Sequence, residues 1–567
     1  MRLITRRVPG RAWLWGGLSI ATLLVVVASG AGEEGGGASR GPIRQALERP
    51  GTLRIDGSLL DRPALIRFYR PRDFAPAWSV ADGGVERASL MLRALAIADA
   101  HGLDPARYHL DALRARHAGS PGRTTVEAEL LLTDAFIRYA TEVRAGRRPP
   151  GFEQADWGIA APSFDAVSAL AQGLRRPATW PTLLASLPPP SQEYALLVEG
   201  LRRYRALAAG HDWPLLPPGT PLRRGDDEAR VATLRSRLAA EDERLSSGVE
   251  THYDSQLEEA VRRFQISHGL PADGVVGQAT LRALNVPAAD RIRQIGLNLE
   301  RWRWLPRDLG RHHVVVNAAD AMLRVVADGR TVLASRVVVG DARHPTPVVQ
   351  ARMDAVILNP RWSVPTSIAV AEILPRVREN ARYLAENHIV IQDRRESDPF
   401  GLGVDWTTIP SDPFPFRLQQ EPGSDNPLGR IKFDAPNRFD VYLHDSPIRS
   451  LFTRPVRTAS HGCVRVERAD DLALHVLADG AEGWTKGRLE EAIASGRSVR
   501  ISLANPLPLY ILYWTAFVDP GGGVQFRDDV YGHDRRLAEM LSAAESPNRA
   551  ASGPVGGCPA PEGERTQ

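Results

Sequence analysis

The strongest constraint on this 567-residue chain is the stretch FDVYLHDSPIRSLFTRPVRTASHGCVR, Phe439 to Arg465. Its first six residues alternate apolar and polar with a period of two, the pattern of a half-buried strand. That period sets Tyr442 and His444 on one face and Val441 and Leu443 on the other. If the end of the stretch is also extended, Cys463 and Arg465 share a face while Val464 and Val466 pack inward. Two neighbouring strands of this kind bring an imidazole to a thiol, the minimum for nucleophilic cysteine chemistry. A nearby His and the cation Arg465 are expected to favour the thiolate.

Spacing alone leaves other readings open. A lone Cys is commonly a small buried hydrophobe, and a lone His a surface or satisfied core residue. Metal binding is disfavoured: Cys463, His461 and His444 are the candidate ligands, with no paired CxxC or HxxxH to complete a tetrahedral site. A papain-type protease is disfavoured too, because no downstream His and Asn stand at suitable spacing.

The His444 ring, fifteen further residues, then Ser460-His461-Gly462-Cys463-Val464-Arg465 resembles the active-site signature of the L,D-transpeptidase (YkuD-type) family. Asn426-Pro427-Leu428-Gly429-Arg430-Ile431-Lys432-Phe433 and Asn359-Pro360-Arg361-Trp362-Ser363-Val364-Pro365 resemble the flanking text of that family. Many members carry Asn two residues after the Cys. Here that position is Arg465, as in the long periplasmic branch.

Length suggests three or four domains, and 43% hydrophobic with 24% charged residues is the balance of a soluble globular protein. The formal charge of +4 comes from Arg2, Arg6, Arg7 and Arg11: the 71 basic residues less these four equal the 67 acidic ones. Nothing therefore points to nucleic acid. Those arginines precede an apolar run, Ala12 to Val27, and the small residues Ala28-Ser29-Gly30-Ala31. Residues 1–31 read as a secretory signal, with an uncleaved membrane anchor as the alternative; Arg6-Arg7 hints at a twin-arginine signal, though the residues after it fit poorly. Either way the expected location is the periplasm. Cys558 sits in a polar Gly/Pro-rich tail (546–567) expected to be disordered, so no structural disulfide is expected.

After a Gly-rich linker, residues 41–222 read as helices with Pro-rich connections. Thr124-x-x-Glu127 forms a capping box, and Gly102 is a C-cap after Met91–Ala100. Phe68 to Trp78 resembles the scaffold domain that precedes the catalytic domain in longer family members. Residues 226–287 form a compact unit with a second capping box at Ser255-x-x-Glu258. Leu257, Ala260, Val261 and Phe264 follow at helical spacing. Ala260–Gln265 and Thr280–Asn285 resemble a three-helix peptidoglycan-binding module, too small for much of a core and suited to binding. An amphipathic connecting helix is expected within 288–309, carrying Leu299, Trp302 and Trp304.

Strand patterns begin at His313–Asn317 and Met322–Val326, and Asp328-Gly329 is a hairpin signal. The catalytic domain is expected over 310–504. Residues 364–418 interrupt the strands, with Ile368–Ala385 helical and a loop carrying Phe400, Trp406 and Phe414; a long insertion beside a site is often a lid, with a satellite core built on these aromatics as the alternative. Asp470-Asp471 is expected to cap a helix through Leu477. Residues 505–545 form a C-terminal extension, with a strand over Leu509–Val518. The expected fold class is thus multidomain α+β: a mostly-β sandwich with a helical lid insertion, a helical scaffold domain and a three-helix module.

The resemblance implies acyl transfer on peptidoglycan stem peptides, as donor and acceptor, through a thioester on Cys463 that forms 3-3 crosslinks. It implies His444 as base, the backbone carbonyl of Asp445 as its orienting partner, and Gly462 and Cys463 amides with His461 as oxyanion donors. Arg465, Tyr442, Trp362 and Ser460 are candidates for holding substrate. It also implies carbapenem sensitivity, no cofactor and no metal; a monomer is expected. Hydrolysis of the same thioester (an L,D-carboxypeptidase) and a non-catalytic wall-binding scaffold are the alternatives.

Overall fold

The computed structural model describes residues 40–78, 84–119, 125–149, 156–210, 214–392, 397–478, 483–519 and 521–545. The N-terminal run, Thr124 and Cys558 lie outside them. Among the described residues no helix is long and apolar enough to cross a membrane.

Eight strands of the ten-stranded C-terminal sheet form its closed path: β1 (His312–Asn317), β2 (Met322–Ala327), β3 (Arg330–Gly340), β4 (Val348–Leu358), β5 (Ile431–Asp434), β6 (Leu443–His444), β7 (Val464–Val466) and β8 (Val499–Leu512). They pair in the order β5-β6-β7-β3-β2-β1-β8-β4, and β4 pairs with β5, so the sheet closes on itself. Closure leaves no open edge along this path. The β2–β3 hairpin turns at Asp328-Gly329, both with positive φ (50° and 73°), the backbone that an Asp-Gly pair tolerates. Inside lie Val314, Val316, Leu323, Val337, Val339, Val356, Ile431, Phe433, Leu443, Val464 and Val466, all fully buried or nearly so.

Several expected elements form with shifted bounds. Only Leu443–His444 of the Phe439–His444 run joins the ladder. Asn437 Oδ1 accepts from Phe439 N and Val441 N, and Asp440 turns left-handed at φ 52°, so the earlier residues form a turn. The strand expected over Leu509–Val518 is split, Ala516–Val518 forming a strand of its own and the longer one running Val499–Leu512. It stops where the amides of Trp514 and Thr515 turn to the side chains of Asn317 and Asn298. Asp254, not Ser255, caps Ser255–Ser267, its carboxylate accepting from Leu257 N. Thr125 caps Val126–Ala145. Asp470 and Asp471 lie within the first turn of Ala469–Leu477, which has Arg468 at its cap position.

The expected helix over Ile368–Ala385 is broken. Thr366–Ile368 leads into a wide π turn, Ala369–Ile373, then Leu374–Glu379, and Asn380 goes extended before Tyr383–Glu386. Pro375 has no N–H to return to the preceding turn, which accounts for the widening there. The insertion has its own core of Ile373, Leu374, Leu384, Ile391, Trp406 and Leu418. Its small sheet joins Trp362–Ser363, Leu418–Gln420 and Ile389–Ile391.

The connecting helix, Ala288–Arg303, is amphipathic only in its first half, where Asp290 and Arg293 are exposed and Arg291 and Ile295 buried. From Leu297 to Arg303 every residue is buried, charges included. Glu300 pairs with Arg303 at 2.6 Å and accepts from Trp304 Nε1 at 3.1 Å. Asn298 bonds Thr515, and Arg301 pairs with Asp534. Gln192–Gly210 packs its Tyr194, Leu197, Leu201 and Tyr204 into the same core as the sheet, although its sequence groups it with the preceding helices. Those earlier helices have a separate core around Trp78, Phe136 and Trp180, and residues 216–284 another around Leu234, Tyr253 and Leu257.

Candidate active site

The register of three neighbouring strands gathers the candidate side chains. Lys432 on β5 stands opposite His444 on β6, and His444 stands opposite Arg465 on β7. Tyr442 precedes His444 by two residues and Cys463 precedes Arg465 by two, so all five share one face. On the reverse face Phe433, Leu443 and Val464 are wholly buried and hold the strands to the core.

His444 is 4% exposed, and its Nδ1 lies 2.6 Å from the Asp445 carbonyl oxygen. A carbonyl only accepts, so Nδ1 carries the proton and Nε2 is the free base. Burial and the Arg465 charge depress this imidazole to about 3, against the pull of the Asp445 and Leu428 carbonyls. The Asp445 carboxylate turns away, accepting from Arg430 N at 3.0 Å and Arg449 Nη1 at 3.3 Å. Gly429 leaves room for it, at φ 63°; a Cβ there would stand 2.7 Å from Asp445 Cγ.

Burial pushes the Cys463 thiol up, opposed by hydrogen bonds from the Tyr442 amide and phenol and by the charges of Lys432 and Arg465. The expected preference for thiolate is therefore reversed in this state. Desolvation outweighs two cations, and the thiol and the imidazole are each neutral. Lys432 Nζ sits 4.1 Å from the Tyr442 ring centre. Arg465 makes no ion pair among the described residues, and its Nε is buried without a hydrogen-bond partner.

The Ser460–Cys463 turn is tied internally. Ser460 Oγ donates to the Cys463 carbonyl at 2.6 Å and accepts from Gly462 N at 3.2 Å. The Gly462 amide is thus occupied, while Cys463 N–H makes no hydrogen bond among the described residues. Gly462 has φ 107°, a region that favours glycine. His461 points to the insertion, its Nε2 2.9 Å from Glu372 Oε1 in the π turn, with both side chains about half-exposed. Trp362 pairs with Gln420 in the insertion's sheet, and no hydrogen bond or ring contact joins it to Cys463 or His444. Among the described residues no cluster of three His, Cys, Asp or Glu side chains could hold an ion.

Lys432 is the residue that sequence reasoning passed over, although a signal existed. Among 71 basic residues only Lys432 and Lys486 are lysines. A compact ammonium in an arginine-rich chain is a signal that a forked guanidinium is not equivalent at that position.

Residues 63–201 match a family model described as a scaffold domain, 227–284 one described as a peptidoglycan-binding domain, and 311–500 the L,D-transpeptidase catalytic domain. A Haemophilus influenzae protein, provisionally named an L,D-transpeptidase, is 34% identical over 245 residues. The match covers 43% of this chain, which spans about half the length of that relative. The N-acetylmuramoyl-L-alanine amidase CwlM of Mycobacterium tuberculosis is 41% identical over 80 residues, 12% of this chain and 20% of its own. A crystal structure of an L,D-transpeptidase from Stackebrandtia nassauensis aligns at 13% identity and a TM-score of 0.22, covering 52% of this chain and 97% of its own. The chain thus carries, in order, matches to a scaffold domain, a peptidoglycan-binding domain and, over the closed sheet, an L,D-transpeptidase catalytic domain.

Proposed function

We propose that the chain is a cysteine-dependent L,D-transpeptidase that crosslinks peptidoglycan stem peptides through a thioester on Cys463. The observation that carries this reading is the common face of Lys432, Tyr442, His444, Cys463 and Arg465 on three paired strands. As the Cys463 sulfur attacks the donor carbonyl between the third residue and D-Ala, His444 Nε2 takes the thiol proton. A neutral pair makes this general-base catalysis concerted with attack, and no preformed ion pair is needed. The tetrahedral oxyanion collapses, the C–N bond breaks, and the D-Ala amine leaves with the proton from His444. An acceptor amine then attacks the thioester, gives its proton to His444, and the sulfur departs as the thiol is restored.

The Asp445 carbonyl holds the His444 tautomer. Cys463 N–H, unengaged, is the oxyanion donor this arrangement favours; Gly462 N–H has Ser460 in front of it, and His461 would first have to leave Glu372. Arg465, a half-buried cation with no acid paired to it among the described residues, suits a stem carboxylate. Tyr442, half-buried and acting on the thiol, is read as a substrate-facing wall, and Trp362 borders the insertion, 364–418, which we read as a lid. The module over 226–287 would hold the glycan. An exported chain, cleaved or anchored at its N-terminus, and a role in wall crosslinking and cell shape follow from that substrate.

Intact mass after mixing the protein with a carbapenem tests the nucleophile: one adduct on the wild type, none on Cys463→Ala. No adduct on either would return the thiol to a packing role and leave a wall-binding scaffold. Product analysis with tetrapeptide stems, with and without acceptor, separates crosslinking from hydrolysis.

A further inference from the structure

A hydroxyl outside the reactive face governs the peptide on the C-terminal side of Gly462. Thr346 lies in the loop between β3 and β4 and is 1% exposed. Its Oγ1 accepts from Gly340 N at 2.8 Å and donates to the Gly462 carbonyl at 2.8 Å. Both directions are forced, since an amide only donates and a carbonyl only accepts. The Gly462–Cys463 peptide is trans and planar, so its C=O and N–H point opposite ways. Fixing the carbonyl on Thr346 therefore fixes the direction of the Cys463 N–H, away from the loop. That amide is without a partner among the described residues, whereas the Gly462 amide is held by Ser460.

We infer that Thr346 is a positioning residue for acyl transfer: by holding the Gly462 carbonyl it aims the Cys463 N–H at the developing oxyanion. Glycine at 462 is what leaves the peptide free to adopt this orientation, at φ 107°. The support reaches beyond the catalytic domain match. Tyr531, in the C-terminal extension, donates its phenol to the Gly340 carbonyl at 2.7 Å and touches Thr346. It braces the end of β3 from which Thr346 takes its second hydrogen bond. This inference rests on the reading of Cys463 as the acylated nucleophile.

The test compares two reactions of the same sulfur. Acylation by meropenem passes through an oxyanion; alkylation by iodoacetamide does not. Thr346→Val keeps the shape and removes the hydroxyl, and is expected to slow acylation by about tenfold to a hundredfold, below the loss for deleting a donor outright, while alkylation keeps the wild-type rate. Thr346→Ser is expected to restore acylation. Tyr531→Phe is expected to show a smaller loss with the same selectivity, and carries the test should Thr346→Val fail to fold. Equal losses in both reactions, or undiminished acylation in Thr346→Val or Tyr531→Phe, would overturn the assignment. A wild type that is alkylated but never acylated would instead remove the transpeptidase reading, and this inference with it.

Discussion

Lys432 Nζ lies 4.1 Å from the centre of the Tyr442 ring, and the phenol of that same tyrosine is hydrogen-bonded to the Cys463 thiol. The cation stands over the ring while the tyrosine acts on the sulfur. Both oppose the desolvation that keeps the thiol protonated. Replacing Lys432 by Met removes a cation–π contact of about 1 kcal/mol and the nearest compact charge. Alkylation of Cys463 by iodoacetamide at pH 8 is then expected to slow roughly fivefold, the rate equivalent of that energy. Lys432→Arg, which keeps the charge, should recover part of it. An unchanged rate in Lys432→Met would remove Lys432 from the site.

The neutral Cys463–His444 pair has a pH signature. His444 is held to about 3 and the thiol is raised by burial. Neither group therefore changes charge near the ordinary imidazole value, and the rate of acylation should show no break near pH 6.5. An ion-pair mechanism would show one. The sign for stability comes from the same shift. The unfolded His titrates near 6.5, so between that value and about 3 the unfolded chain binds a proton that the folded chain refuses. Stability falls as pH drops through this window, at up to about 1.4 kcal/mol per pH unit from this group. In His444→Gln that contribution should vanish from the acid limb of a denaturation series, and acylation should fall by about 10²–10⁴.

The reactive face can be read from the chain because strand periodicity is local: two residues apart means one face, and burial of Val464 and Leu443 sets which face. The neighbours of that face cannot. Lys432 and Thr346 reach the turn around Cys463 by sheet register and by the fold of a loop far away in sequence. The protonation state escapes a sequence reading for a related reason. Residue types supply the cations, but the cost of burying the sulfur depends on three-dimensional packing. The connecting helix misleads in the same way, since Glu300, Arg301 and Arg303 look solvated in sequence and are buried by partners from both ends of the chain.

Those partners make Glu300 a point of failure. It is fully buried, pairs with Arg303 at 2.6 Å and with the Arg147 guanidinium at 3.5 Å, and accepts from Trp304 Nε1 and the Arg147 amide. Glu300→Ala leaves the Arg303 guanidinium buried without its carboxylate. A loss of about 3–5 kcal/mol in unfolding free energy is expected, the usual result of removing one half of a buried pair. Chemical denaturation checks it. Because Glu300 holds Arg147 to the central helix, the helices before residue 149 should become susceptible to protease before the sheet does.

Gly429 separates the two uses of Asp445. Its φ of 63° is strained for any residue with a Cβ, and a Cβ there would press on the Asp445 carboxylate, 2.5 Å from Oδ2. Gly429→Ala is therefore expected to cost about 1–3 kcal/mol and to move the backbone whose carbonyl holds His444 Nδ1. Gly423, in the same connection with nothing near its missing Cβ, is the control, and Gly423→Ala should leave melting and acylation alone. Asp445→Asn distinguishes carboxylate from carbonyl. It keeps the backbone oxygen and the room in front of Gly429 but gives up the charge that pairs with Arg449. If the carbonyl orients the imidazole, Asp445→Asn melts lower yet keeps its acylation rate, while Gly429→Ala loses both. Acylation lost in Asp445→Asn with melting unchanged would give the role to the carboxylate instead.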